Sequence, residues 1–419
     1  MAVVTRAGPV DIEPLASSSG NMDSADGANP DPASSIESIA SVIPLYEPDL
    51  SGNERRYVLE CLESSWISSN GGFIPRFEQA LAGAINAAHA IAVSNGTVAL
   101  HLALHALGIG PGDEVIVPSF TYIASVNVIA QVGATPIFVD SSLDDWVMRA
   151  DQVEKKISPR TKAIMAVHLY GAMCDMTALC ALAARHGLAV IEDCAEALGC
   201  TFAGRHAGTF GTVGAFSFYG NKTVTTGEGG MVVTSDPNLA NRIRLLKGQG
   251  QSLTRRYWHE ILGFNYRMTN ICAAIGLAQM ERLASILNRK RAIAALYRQE
   301  LRDAPVTFQG RSRDTVSAEW LVTALLPSDV DRDEIALAME RDGIETRPAF
   351  HCAHHMPMYA TGDSLPGAEE ISRRGICLPS YPQLTERMVT RVCLSLRNAI
   401  EQARRGGGAS PTNPRRRFD

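Results

Sequence analysis

The stretch Phe216-Ser217-Phe218-Tyr219-Gly220-Asn221-Lys222-Thr223-Val224-Thr225-Thr226-Gly227-Glu228-Gly229-Gly230 decides how this chain is read. A lysine lies in a Gly- and Thr-rich loop bracketed by two apolar runs, 214–218 and 230–234. Two strands so close in sequence cannot be joined by a helical crossover, so this part of the sheet departs from a simple doubly wound pattern. Such a lysine is not on a solvated helix face. It stands where backbone amides can surround an anion, and where an amine can form a Schiff base.

Upstream, apolar runs at 90–93, 114–117, 136–139, 163–167 and 189–191 alternate with stretches of helical spacing at 97–107, 121–132 and 175–186. This alternation predicts a largely parallel sheet covered on both faces, with ligands beyond the carboxyl ends of its strands. Two features lie at such ends. Ser94-Asn95-Gly96-Thr97 opens a helix whose unpaired N–H groups suit a phosphate, although a plain helix cap has the same sequence. Val190-Ile191-Glu192-Asp193-Cys194-Ala195-Glu196 places acids directly after a buried-type strand, so one of them faces the ligand crevice. Gly108-Ile109-Gly110-Pro111-Gly112 is no dinucleotide fingerprint, because it follows a helix and precedes a strand. A long helix is expected over about 271–302, followed by a smaller C-terminal unit.

Composition excludes several classes. The chain has 419 residues, 46% apolar and 20% charged, as in an ordinary globular enzyme. Its net charge of −5 matches the excess in residues 1–40, where six acids face Arg6; the remainder is balanced, which argues against nucleic-acid binding. The tail arginines 404, 405 and 415–417 are expected in a solvated end. No apolar run approaches the ~18–20 residues that cross a bilayer, and no leader pattern opens the chain, so a cytoplasmic protein without membrane partners is expected. Nine scattered cysteines without a CxxC suggest reduced thiols.

Taken in order, these segments resemble the fold-type I, pyridoxal-phosphate-dependent aminotransferases of the DegT/DnrJ/EryC1/StrS family over about 42–400. The resemblance implies an α/β fold: a large domain, 42–285, with a mixed, mostly parallel seven-stranded sheet, and a smaller C-terminal α/β domain, 286–402. Disordered ends are expected at 1–41 and 403–419. It implies that Lys222 carries pyridoxal 5'-phosphate as a Schiff base and that Asp193 pairs with the pyridine nitrogen, keeping it protonated. Gly96, Thr97 and Ser217 are then the phosphate cradle, Tyr122 the aromatic stacked on the ring, and Glu196 a neighbour of the cofactor where many relatives carry Gln. The motif Gly263-Phe264-Asn265-Tyr266-Arg267-Met268-Thr269-Asn270 resembles the loop that reaches the partner's site, with Asn265 on the phosphate in trans, which implies a homodimer with shared active sites. A family branch with histidine in place of the lysine dehydrates sugars; Lys222 places this chain outside it.

Within the family, Trp66-Ile67-Ser68-Ser69, Tyr219-Gly220-Asn221-Lys222-Thr223, Arg255-Arg256-Tyr257-Trp258, Glu345-Thr346-Arg347-Pro348, His354 and Met356-Pro357 look like the branch that aminates GDP-4-keto-6-deoxymannose at C4 with L-glutamate as donor. Arg256, Arg347 and His354 are the expected substrate contacts, since a nucleotide diphosphate needs cations. The alternatives are a UDP- or dTDP-linked 4-keto-6-deoxy sugar, GDP-3-keto-6-deoxymannose, or a non-enzymatic PLP-binding regulator, against which intact Lys222, Asp193 and Ser217 argue. His351, Cys352, His354 and His355, and likewise His101 and His105, superficially look like metal ligands. No metal is expected.

Overall fold

The computed structural model describes residues 42–406; the expected disordered ends fall outside the described residues except for 403–406. The large sheet contains β1 (His89–Val93), β2 (Glu114–Pro118), β3 (Thr135–Val139), β4 (Thr161–Val167), β5 (Ala189–Asp193), β6 (Val213–Ser217) and β7 (Gly230–Thr234). Their order is β1-β7-β6-β5-β4-β2-β3. Strands β2 to β6 pair in parallel, and β7 alone runs antiparallel, between β1 and β6. The expected seven-stranded, mostly parallel sheet is therefore present, and its one reversal follows the Lys222 loop.

Residues alternate across this sheet. Ile91, Val93, Val117, Met165 and Ile191 pack into one apolar cluster, while Ala92, Ile116, Ile164, Val190 and Met231 pack into another on the opposite face. Burial on both faces is why these strands read as continuous apolar runs rather than alternating ones. Helix α1 (Gly96–Ala106) covers the sheet after β1, its N-terminus capped by Asn95, whose Oδ1 accepts from the Val98 N–H at 3.0 Å. Helix α2 (Ala124–Gln131) starts three residues later than its spacing suggested, leaving Thr121 and Tyr122 in a loop beyond β2.

The long helix expected over 271–302 is two helices, α3 (Asn270–Glu281) and α4 (Leu283–Glu300). Arg282 breaks them by leaving the helical range at φ −113°, ψ 5°, while its guanidinium is held by Asp49 at 2.6 Å. Beyond α4 lies an antiparallel sheet of β8 (Thr307–Phe308), β9 (Val322–Leu325), β10 (Arg347–Pro348) and β11 (Gly375–Leu378), in the order β8-β9-β11-β10. Ile293, Tyr297, Val322, Leu378 and Leu396 belong to its own core. The last helix, α5 (Glu386–Gly406), corrects the expected start of the tail. Arg404 and Arg405 lie on this helix, where they pair with Asp329 and Glu401 at 2.9 and 3.3 Å. Among the described residues, no helix is long and apolar enough to cross a membrane.

Candidate active site

A cavity of about 770 Å³ opens beyond the carboxyl ends of β1, β2, β4, β5 and β6, lined in part by Gly96, Tyr122, His168, Asp193, Ser217 and Lys222. Strand alternation separates the two adjacent acids at the end of β5. Glu192 turns away from the cavity, is fully buried, and accepts from the N–H groups of Gly208, Phe210 and Gly211 at 2.9, 2.7 and 2.6 Å, with His168 Nε2 at 3.2 Å. Its oxygens are taken up by these partners. Asp193 faces the cavity, where Oδ2 accepts from Ser125 Oγ at 2.7 Å and Oδ1 from the Ala195 N–H at 3.0 Å. These bonds fix the orientation of the carboxylate.

Lys222 is the cavity's buried amine. Its Nζ stands 3.6 Å from Glu196 Oε1 and 3.9 Å from the centre of the Trp320 ring. Glu196 is itself anchored, its Oε2 accepting from the Tyr170 N–H at 2.8 Å. Burial pushes the Glu196 carboxyl up to about 7, against the pull of Lys222. Burial likewise lowers the Lys222 ammonium, opposed by Glu196 and Asp193. The two shifts converge. A carboxyl that holds its proton more tightly and an amine that gives one up more easily make a pair between which a proton can pass.

Opposite lies a site for an anion. The N–H groups of Gly96 and Thr97 belong to the first turn of α1, which no preceding turn can pair. A Cβ on Gly96 would sit 2.7 Å from Ser217 Cβ, and one on Gly230 only 2.4 Å from the Asn95 carbonyl oxygen, so only glycine lets these segments close into a cradle. Asn221 Oδ1 is buried in the cavity wall without a hydrogen-bond partner among the described residues. Anion cradle, fixed carboxylate and buried amine together fit the phosphate, ring nitrogen and aldehyde of pyridoxal phosphate.

Of the far wall, only Arg347 was read from the sequence. Trp320, Arg347 and Phe350 line the cavity from the side of the smaller sheet. Tyr170 stacks between Trp320 and Phe350, with centroids at 5.9 and 5.4 Å, and Tyr122 contacts Phe350 at 5.8 Å. In sequence these aromatics look like core residues, and Trp320 and Phe350 lie far along the chain from the motifs they meet. Thr97, Tyr122, Ser217 and Arg347 line the cavity with Lys222 and Asp193. The expected substrate contacts Arg256 and His354 do not, and Asn265, expected to act in trans, lies outside the cavity of its own chain. Asn265 is exposed outside the cavity, its Oδ1 accepting from Arg267 at 3.2 Å. Arg256 lies on an exposed loop beside Tyr257. His354 is turned inward, 2.5 Å from Ser119 Oγ and 3.3 Å from Glu369 Oε1. Bonds from Ala353 and His354 to Ser119 tie this segment to the end of β2 and hold the imidazole under the wall. Of the His-Cys cluster, His354 and His355 gather with Glu369, and His354 is already satisfied by these hydrogen bonds.

Comparison with known proteins agrees with this geometry. The model of the DegT/DnrJ/EryC1/StrS aminotransferase family matches residues 48–397. The chain is 51% identical over 355 residues to the GDP-perosamine synthase of Escherichia coli O157:H7, covering 84% of this chain and 97% of that one. It is 48% identical over 362 residues to the GDP-perosamine synthase of Vibrio cholerae, covering 85% and 99%. Among solved structures, S. venezuelae DesV in complex with a ketimine intermediate superposes with a TM-score of 0.81 at 37% identity, covering 86% of this chain and 99% of that one.

Proposed function

The chain belongs to the DegT/DnrJ/EryC1/StrS family and is a pyridoxal-phosphate-dependent sugar aminotransferase, and from that premise we propose that it converts GDP-4-keto-6-deoxymannose to GDP-perosamine with L-glutamate as amino donor. The single observation that carries the substrate is the near-50% identity to two GDP-perosamine synthases along almost their whole length. The cavity supports the chemistry, because a buried amine, a fixed carboxylate and an anion cradle face one space.

Gly96, Thr97 and Ser217 would hold the cofactor's phosphate, Tyr122 would cover its ring, Asp193 would face its ring nitrogen and Lys222 would hold its aldehyde carbon. When bound, the cofactor supplies an electron sink for negative charge at the carbon bearing the amine. Asp193, fixed by Ser125 and the Ala195 N–H, would hold a proton on the ring nitrogen. The free amine of Lys222 takes the proton from Cα of glutamate; in the return direction it gives a proton to C4 of the sugar. Burial makes that amine ready to release a proton while Glu196 and Asp193 keep it basic enough to accept one, and Glu196 Oε1 at 3.6 Å shares the proton between the two halves. Trp320 and Phe350 keep water from the reacting carbon.

Arg347 stands in the cavity without an acidic partner among the described residues, and takes the diphosphate of the nucleotide. Asn265 and Arg256 lie outside their own chain's cavity and serve the site of a second copy, which makes the working enzyme a homodimer. Exposed Trp66, Tyr257, Trp258 and Leu262 support a covered face in that region. The test is a substrate panel. GDP-4-keto-6-deoxymannose should be turned over with a kcat/KM at least tenfold above UDP- or dTDP-4-keto-6-deoxy sugars and above GDP-3-keto-6-deoxymannose; a reversed order removes the assignment.

A further inference from the structure

The side chain of Lys222 can stand in one place only if its backbone does, and two peptide planes set that backbone. The plane carrying the Asn221 carbonyl fixes φ of Lys222, and the plane carrying the Lys222 carbonyl fixes ψ. Both carbonyls are held from outside the loop. Trp320 Nε1 donates to the Asn221 oxygen at 2.8 Å, and the Tyr46 hydroxyl donates to the Lys222 oxygen at 2.6 Å. The Lys222 N–H is bonded within its own turn, to the Tyr219 carbonyl at 2.9 Å.

Neither donor comes from the large sheet. Trp320 precedes β9 of the smaller sheet, and its ring also lies under the Lys222 ammonium at 3.9 Å. Tyr46 is delivered by the extended segment 43–46, which is laced to the same side of the molecule. The Ile43 N–H donates to the Gly343 carbonyl at 2.8 Å and the Glu345 N–H to the Ile43 carbonyl at 2.9 Å. The Leu45 N–H donates to Glu345 Oε2 at 3.0 Å, and the Ser380 N–H to the Leu45 carbonyl at 3.2 Å. The segment thus belongs to the smaller sheet's surroundings, and its last side chain crosses to the loop of the large one.

We propose that Tyr46 and Trp320 are positioning residues: together they clamp the two peptide planes that flank Lys222 and so aim its amine between Glu196 and the reacting carbon. The proposal rests on Lys222 being the reactive amine. Its consequence is that any shift of the smaller sheet against the large one reaches Lys222 through two hydrogen bonds, without touching the cofactor's cradle.

The test uses the full-length protein reconstituted with pyridoxal phosphate, with Tyr46→Phe and Trp320→Phe compared to wild type. Tyr46→Phe keeps its ring and loses only its donor, whereas Trp320→Phe loses its donor and exchanges the indole under the ammonium for a smaller ring. Tyr46→Phe should slow the single-turnover reaction with glutamate about tenfold, the weight of one hydrogen bond in a buried site, and Trp320→Phe by at least as much. Each should also move the pH midpoint of the bound cofactor's absorbance by about half a unit or more, because the amine then stands differently to Glu196 and Asp193. KM for the nucleotide sugar should stay within about twofold. Wild-type midpoint and rate in both variants overturn the clamp; so does a lowered melting temperature with an unmoved midpoint, which is a merely structural role. If one variant does not fold, the other carries the test. Lys222→Ala separates this from the underlying reading: if it keeps the lysine-linked absorbance, the assignment of Lys222 fails and not the clamp alone.

Discussion

Burial depresses both Lys222 and Lys290, and their surroundings are otherwise unlike. Lys222 opens on the cavity beside Glu196, with Asp193 in electrostatic reach and a tryptophan ring beneath it. Lys290, on α4, is sealed at 1% exposure, gives its Nζ to the Ser380 carbonyl at 2.8 Å, and has the Tyr46 ring at 5.3 Å. Burial lowers both ammonium groups, Lys290 to about 7. A depressed amine is therefore no signature of chemistry by itself. What distinguishes the reactive lysine is a carboxylate to trade a proton with and a space in which a substrate can meet it.

The sharpest way to break this contrast is Lys222→Ala, which should lower transamination by about a thousandfold or more while circular dichroism and melting temperature stay near wild type. Retained turnover would move the reactive amine elsewhere. Asp193→Asn should cost about a hundredfold in each half-reaction, roughly 3 kcal/mol of barrier, since the ring nitrogen loses its fixed charge. Equal loss in both halves, measured by stopped-flow absorbance, checks that.

Glu196→Gln should cost less, about tenfold, and change the pH profile. In wild type, the glutamate half-reaction should show an inflection near 7, where the raised Glu196 carboxyl titrates; the amide variant should show none. The folded value is raised, so the stability Glu196 contributes is present below its ordinary range and lost as pH rises through about 7. The smallest effect on turnover belongs to Lys290→Met, which acts on stability. Here the folded value is lowered, so wild-type stability is full above the ordinary lysine range and lost as pH falls toward about 7. The stability of Lys290→Met relative to wild type should therefore rise between pH 10 and 7, by about 1 kcal/mol per pH unit, and level off below, as denaturant melts at several pH values would record.

Much of this was legible in the sequence, for identifiable reasons. Strands buried on both faces leave continuous apolar runs, and the Lys222 loop stood out because Gly, Thr and a lone Lys interrupted two of them. The acids at 192–193 were legible as a pair but not individually; only the strand's alternation sends Glu192 to three backbone amides and Asp193 to the cavity. The break at Arg282 carries no Gly or Pro signal, because it comes from a side chain bonded to Asp49 far upstream. Trp320, Tyr170 and Phe350 were invisible for the opposite reason. They look like core, and part of their role is core, with one edge left open to the cavity. His354 misled because a polar residue near a site can serve the wall's backbone rather than its surface.

The central claim, that this cavity moves an amino group from glutamate to C4 of a GDP-linked keto sugar, is tested most directly with 15N-labelled glutamate. Incubated with the pyridoxal-phosphate-loaded protein and GDP-4-keto-6-deoxymannose, the label should appear on C4 of the product by NMR, with the matching mass increase. Label on another carbon would contradict the position aminated, and an unlabelled, unchanged sugar would contradict the substrate.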